Sequence, residues 1–387
     1  MRNYIQIFGG DPTRVTAFGF SSGAFAIANL MVAKDGSLNL FDRAVMHSGT
    51  ILPFVESTNT FKPVVQYLAN ITNCNTPDMI QCLTDLSAEK LMAASHQTNT
   101  IMNFYLSTIW GPVIDGVYLQ RQQHVSLQLG LVRKIPLLIT TNLDEAQFFV
   151  PIQGFSAQEM LDFRDRLFPS LIGNFTELER LYPSKNESHL GHNISSASTD
   201  FLFQCPARLT AKTFSNFGVP VFRTMFNYSS WAAKTAFGST SAMHGVDLLF
   251  WWQTHFLMTL DEIQLSKLML HGLIDFATCT NIVDCRIGEQ ENVSAWHIYS
   301  NVTTPTRGYK TVFTLPITEI STQFDDEWDQ KCAFFDELVA SRGTEFVTVR
   351  FPSAQILADS SRSWLYPEST INDFLVRKAY GLLHRFT

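Results

Sequence analysis

The apolar positions of the chain fall into short β-branched or aromatic runs bounded by turn residues, with helix-like stretches between them. Four runs read as strands: residues 14–18 (RVTAF), 43–47 (RAVMH), 134–141 (KIPLLITT) and 219–227 (VPVFRTMFN). Residues 23–33 (GAFAIANLMVA) read as a helix directly after the first strand. Strands that alternate with helices predict parallel βαβ units and an α/β fold. Three Ser/Thr/Asn-rich stretches, 183–200, 228–242 and 286–310, read as loops. There is no internal repeat, and no linker is long and polar enough to separate independent units. One domain is expected.

Composition narrows the class. Of 387 residues, 45% are hydrophobic and 16% charged, with 32 Phe, which excludes a disordered polypeptide. The net charge is −7 and no run of five Lys/Arg occurs, which argues against nucleic-acid binding. Residues 91–114 carry no formal charge, but their Ser, His, Gln, Thr and Asn side chains would be costly in lipid, so no transmembrane segment is expected. The six cysteines form no CxxC pair and no Cys/His cluster with ligand spacing, so no metal is expected. Six cysteines allow fifteen disulfide pairings.

Seven Asn-x-Ser/Thr triplets begin at Asn70, Asn174, Asn186, Asn193, Asn227, Asn292 and Asn301. Random placement of the same residues would give about three. With the even cysteine count they point to glycosylation in an oxidising, secretory compartment. The opening MRNYIQIFGGDP lacks the layout of a signal peptide, so the expectation is a secreted protein whose natural sequence starts further upstream.

The chemistry centres on Gly19-Phe20-Ser21-Ser22-Gly23. This is GxSxG between a strand and a helix, where glycines two residues either side of the serine would remove clashing Cβ atoms. The serine then sits beside a helix N-terminus able to stabilise an oxyanion. A serine hydroxyl needs a base, and the base an orienting carboxylate, in the sequence order Ser, Asp/Glu, His. The strand 134–141 runs into Asp144 and Glu145, either of which could be the acid. The strand 219–227 leads to His244-Gly245, the candidate base. His47 lies on a strand, and His189 and His192 in a sequon-rich loop, so structural or exposed roles suit them better.

These residues resemble the type-B carboxylesterases, relatives of the cholinesterases, with the α/β-hydrolase fold. The resemblance is carried by residues 8–23 (FGGDPTRVTAFGFSSG), 41–49 (FDRAVMHSG), 111–116 (GPVIDG), 142–149 (NLDEAQFF), 242–250 (AMHGVDLLF) and 331–338 (KCAFFDEL). It implies Ser21 as nucleophile, Glu145 rather than Asp144 as acid, His244 as base and the Ser22 N–H as an oxyanion donor. It also implies disulfides Cys74–Cys82 and Cys205–Cys332, which leaves Cys279–Cys285 for a third. The substrate would be a small-molecule ester, without a cofactor.

Departures from the family refine this. Phe20 replaces a usual Glu that helps to create a cationic environment, so choline esters give way to neutral esters. Asp247 stands where a Glu often supports the histidine. Phe148 and Phe149 fall where the family lines its pocket, though a Phe-rich protein also places such rings in its core. The resemblance makes the four strands numbers five to eight of the sheet, with the glycine-rich oxyanion loop upstream of residue 1, and strand 14–18 an exposed edge. Residues 1–340 would form the esterase domain and 341–387 a tail without a hydrophobic anchor. The alternative is a non-catalytic binding or adhesion module, which some relatives of this fold are. Retention of all three triad residues favours the enzyme.

Overall fold

The computed structural model describes residues 2–53, 55–102, 110–150, 156–168, 175–184, 189–237, 241–254, 258–289, 296–299 and 308–340. The expected tail at 341–387 lies outside these residues. Among the described residues the main sheet has six strands: β1 (Thr16–Phe20), β2 (Arg43–His47), β3 (Leu137–Asn142), β4 (Val221–Phe226), β5 (Tyr309–Phe313) and β6 (Ser321–Phe324). Their spatial order follows the sequence. The first five run parallel and β6 antiparallel. Helix α1 (Ser22–Val32) makes the crossover from β1.

The pleat explains why these strands read as nearly continuous apolar runs. Ala44, Met46, Leu137, Ile139 and Val221 point to one face, where α1 and helix Cys205–Asn216 cover them. Val45, Leu138, Phe222 and Phe226 point to the other, under helices Leu248–Trp251 and Leu260–Thr278. A parallel sheet covered on both faces needs apolar residues at odd and even positions alike.

Four strands were legible, β2 with the bounds expected and the other three with shifted ends. β3 starts at Leu137 and β4 at Val221, each just after a proline that has no N–H to donate to a ladder. β1 continues to Phe20, so Ser21 directly follows the strand. Among the described residues β1 pairs with β2 alone and lies at one margin of the sheet. β5 and β6 are additional. β5 begins inside the stretch 286–310 that reads as a loop, and β6 (STQF) exposes most of its residues, which leaves no apolar alternation to read.

Two predicted loops contain helices. Leu190–Thr199 lies within 183–200, and Trp231–Phe237 within 228–242. Their Ser/Thr/Asn content suggests loops, but tertiary burial of Ile194, Ala197 and Ala233 overrides that propensity. The Ser230 hydroxyl also accepts from Ala233 N–H at 3.0 Å and caps the second helix.

The protein gathers into two compact units. Residues 56–113 form most of the smaller one, with Val64, Phe61, Tyr67 and Trp110 as its apolar cluster and Cys74–Cys82 bonded within it. The larger unit holds the sheet and the bonds Cys205–Cys332 and Cys279–Cys285. Within it, fully buried Arg223 on β4 pairs with Asp325 and donates to Gln204 Oε1 at 2.8 Å. Buried Lys310 on β5 pairs with Glu327 and lies 4.0 Å from the Trp328 ring centroid.

Candidate active site

Ser21 has φ 54° and ψ −117°, a region that costs a non-glycine residue about 1–3 kcal/mol. The surroundings hold it there. Its N–H donates to the His47 carbonyl at 2.8 Å, and its own carbonyl accepts from Ala24 and Phe25 N–H in the first turn of α1. Its hydroxyl is not used to cap that helix. A Cβ on Gly19 would lie 2.4 Å from Gly23 backbone atoms, and one on Gly49 would lie 2.9 Å from the Ser21 carbonyl oxygen. The expected role of Gly23 is corrected: a Cβ there meets nothing within 4 Å. Exposed Ser22 opens α1, so its N–H is one of the donors that lack an intrahelical partner.

Glu145 follows β3 in a short 3₁₀ turn and is fully buried. Its Oε2 lies 2.6 Å from His244 Nδ1, and its Oε1 accepts from Asn142 N–H at 2.8 Å. His244 Nε2 is buried without a hydrogen-bond partner. Asp144 instead bonds Ser241, and burial raises its carboxyl above the usual range. The structure thus brings Glu145, not Asp144, to His244.

His244 is ringed by phenylalanines. Centroid separations are 4.8 Å to Phe20, 5.0 Å to Phe149, 5.3 Å to Phe203 and 6.5 Å to Phe148. Phe148 is exposed, which suits a pocket wall better than a core. Phe203 was not legible. It sits on a π-helical segment, Asp200–Gln204, between two regular helices, and no local sequence pattern marks such a turn.

Asp247, expected to support the histidine, makes no direct hydrogen bond to it and is linked to it through Asn142. His47 Nε2 lies 2.5 Å from its Oδ2, Trp251 Nε1 donates to Oδ2 at 3.0 Å, and Asn142 Nδ2 donates to Oδ1 at 2.9 Å. Burial works to raise its carboxyl, but the His47 ring and these hydrogen bonds outweigh it and hold the group below the usual range. His189 sits at the N-cap of helix Leu190–Thr199 and His192 is exposed on it.

Of the sequon asparagines, Asn70 and Asn227 are exposed. Asn193 is half-buried and donates to the Tyr182 carbonyl at 3.2 Å. Asn174, Asn186, Asn292 and Asn301 lie outside the described residues. No helix among those residues is long and apolar enough to cross a membrane.

A sequence profile of the carboxylesterase family matches residues 1–312. Carboxylesterase 1D of Rattus norvegicus is 26% identical over 314 residues, covering 72% of this chain and 54% of its own. Carboxylesterase 5A of Mus musculus is 27% identical over 243 residues, covering 59% and 40%. The solved structure of a PNB esterase superposes with TM-score 0.68 at 25% identity over 86% of this chain and 66% of the other. The chain thus spans about half the length of the two curated relatives.

Proposed function

This chain belongs to the carboxylesterase family, and from that premise we propose that it hydrolyses carboxylic esters through Ser21, Glu145 and His244 by way of an acyl-enzyme. The observation that carries this reading is the Glu145–His244 contact of 2.6 Å combined with an unpartnered Nε2 on the same ring. Glu145 fixes the tautomer with the proton on Nδ1 and leaves Nε2 to accept one.

In the first half-reaction His244 Nε2 takes the Ser21 hydroxyl proton as Oγ attacks the ester carbonyl. The oxyanion is drawn to the N-terminus of α1, where the Ser22 N–H is a donor. His244 returns the proton to the departing alcohol, leaving an acyl-serine. Water then loses a proton to the same nitrogen and attacks the acyl carbon, and the acid leaves as Ser21 Oγ takes that proton back. The buried imidazolium formed twice in the cycle is stabilised by the Glu145 carboxylate.

The four phenylalanines around His244 suit an ester with an apolar acyl or alcohol moiety, and Phe20, where the family has Glu, supplies no carboxylate to draw a cationic one. With three disulfides and exposed acceptors at Asn70 and Asn227, the protein is read as a secreted or lumenal glycoprotein.

Steady-state hydrolysis of p-nitrophenyl butyrate tests the triad. Glu145→Gln keeps the shape but misdirects the tautomer, and kcat should fall by about 10²–10⁴. A variant as active as the wild type would remove Glu145 from the mechanism.

A further inference from the structure

We infer that Asn142 is a positioning residue that holds the acid and the base in mutual register, an inference that rests on the triad assignment above. Asn142 ends β3, is fully buried, and pairs with Phe226 of β4. Three of its polar groups reach three different regions of the site. The backbone N–H donates to Glu145 Oε1 at 2.8 Å, the oxygen not used by His244. The carboxamide Nδ2 donates to the carbonyl of Met243, immediately before His244, at 2.8 Å and to Asp247 Oδ1 at 2.9 Å. The backbone carbonyl accepts from Gln204 Nε2 at 2.8 Å.

Asp247 extends this into a circuit. It is bonded to His47, and the His47 carbonyl accepts from Ser21 N–H. Ser21, Glu145 and His244 are therefore joined through Asn142, Asp247 and His47, independently of the direct contact between acid and base. The two loops are stitched further by Asp144 N–H donating to the Ala242 carbonyl at 3.0 Å and by the Ser241 hydroxyl donating to Gln147 Oε1.

The chemistry of the position selects a carboxamide. Both neighbours of Nδ2 are oxygens that only accept, so this atom must carry two hydrogens, and the same fact fixes the amide orientation. A carboxylate would set oxygen against oxygen, while alanine would leave two buried acceptors bare. The carboxamide oxygen is buried without a partner. The side chain forgoes one hydrogen bond to aim both donors, the kind of local cost found where geometry serves function.

The test compares wild type with Asn142→Asp, Asn142→Ala and the milder Asn142→Ser, with competent sites counted by stoichiometric organophosphate so that kcat refers to folded protein alone. The expected result is a kcat loss of about 10–100-fold for Ala and Ser and at least about 100-fold for Asp, with KM changed less than about threefold.

The acid limb of the pH profile of kcat/KM supplies a readout that loss of stability alone would not move. The titratable groups around His244 are Glu145, Asp144 on the same turn, and the Asp247–His47 pair; its other neighbours are the four phenylalanine rings. Displacing Glu145 stabilises the imidazolium less, so the limb moves to lower pH in Ala and Ser. A new carboxylate moves it to higher pH in Asp. The far-downfield Nδ1–H proton resonance of His244 should move upfield in every variant, a measurement that needs no substrate. Active variants with an unshifted limb and resonance would overturn the inference and leave the triad standing. Wild type that neither hydrolyses esters nor reacts with organophosphate would overturn the triad reading and this inference with it.

Discussion

Ser21 is held in a backbone conformation that a free polypeptide rarely adopts, and its neighbours differ in what they contribute. Gly19→Ala forces a Cβ to within 2.4 Å of backbone atoms and should destabilise by about 3 kcal/mol or prevent folding. Gly23→Ala meets open space and should leave the urea midpoint unchanged or raise stability by up to about 1 kcal/mol. Equal losses for the two would contradict the turn geometry. The serine was legible because strand, turn and helix surround it in sequence. Asp144 and Glu145 were separable only by resemblance, since neighbouring carboxylates share every local signal and differ in which one turns toward His244. Asn142, His47 and Gln204 act through partners far away in sequence, and nothing in their own surroundings announces that.

The elements are tied together by bonds that span very different lengths of sequence. Cys205–Cys332 closes 127 positions and joins helix Cys205–Asn216 to helix Asp329–Ala340, whereas Cys74–Cys82 closes 8. Chain entropy assigns about 5 kcal/mol to the first and about 2.5 kcal/mol to the second. Replacing Cys205 and Cys332 by alanine should therefore lower the denaturation midpoint more than replacing Cys74 and Cys82, and the reverse order would contradict this. Among the strands, β3 and β4 were readable because both faces are buried. β6 was not, because its burial comes from one neighbour and leaves no periodic trace.

Lys310 on β5 gives the same region a pH dependence. Burial, followed by the nearby Arg223, lowers its amine to about 8 despite the opposing pull of Glu327. A base whose folded value lies below its unfolded one keeps its proton to higher pH when unfolded. Its contribution to stability therefore rises between about pH 8 and pH 10, and it is least favourable below pH 8. Urea melts across that range should show wild type gaining on Lys310→Met as pH increases. A difference independent of pH would mean the amine titrates normally.

At the scale of the whole molecule, the proposed secretory route rests on the cysteines and sequons, and the proposed preference for neutral esters on Phe20 standing where the family has Glu. Removal of N-glycans from the native protein should lower its apparent mass, by less in Asn70→Gln and Asn227→Gln than in wild type. Identical shifts would clear those two positions as acceptors. The α/β class and the order of the triad candidates were visible in the sequence because topology orders them along it. The division into two compact units was not, because residues 56–113 join the rest without a polar linker. The most direct test of the central claim is to locate, by peptide mass spectrometry, the covalent adduct formed by a fluorophosphonate probe. The account predicts the adduct on the peptide that carries Ser21, lost in both Ser21→Ala and His244→Ala. An adduct on another serine, or labelling retained in Ser21→Ala, would contradict it.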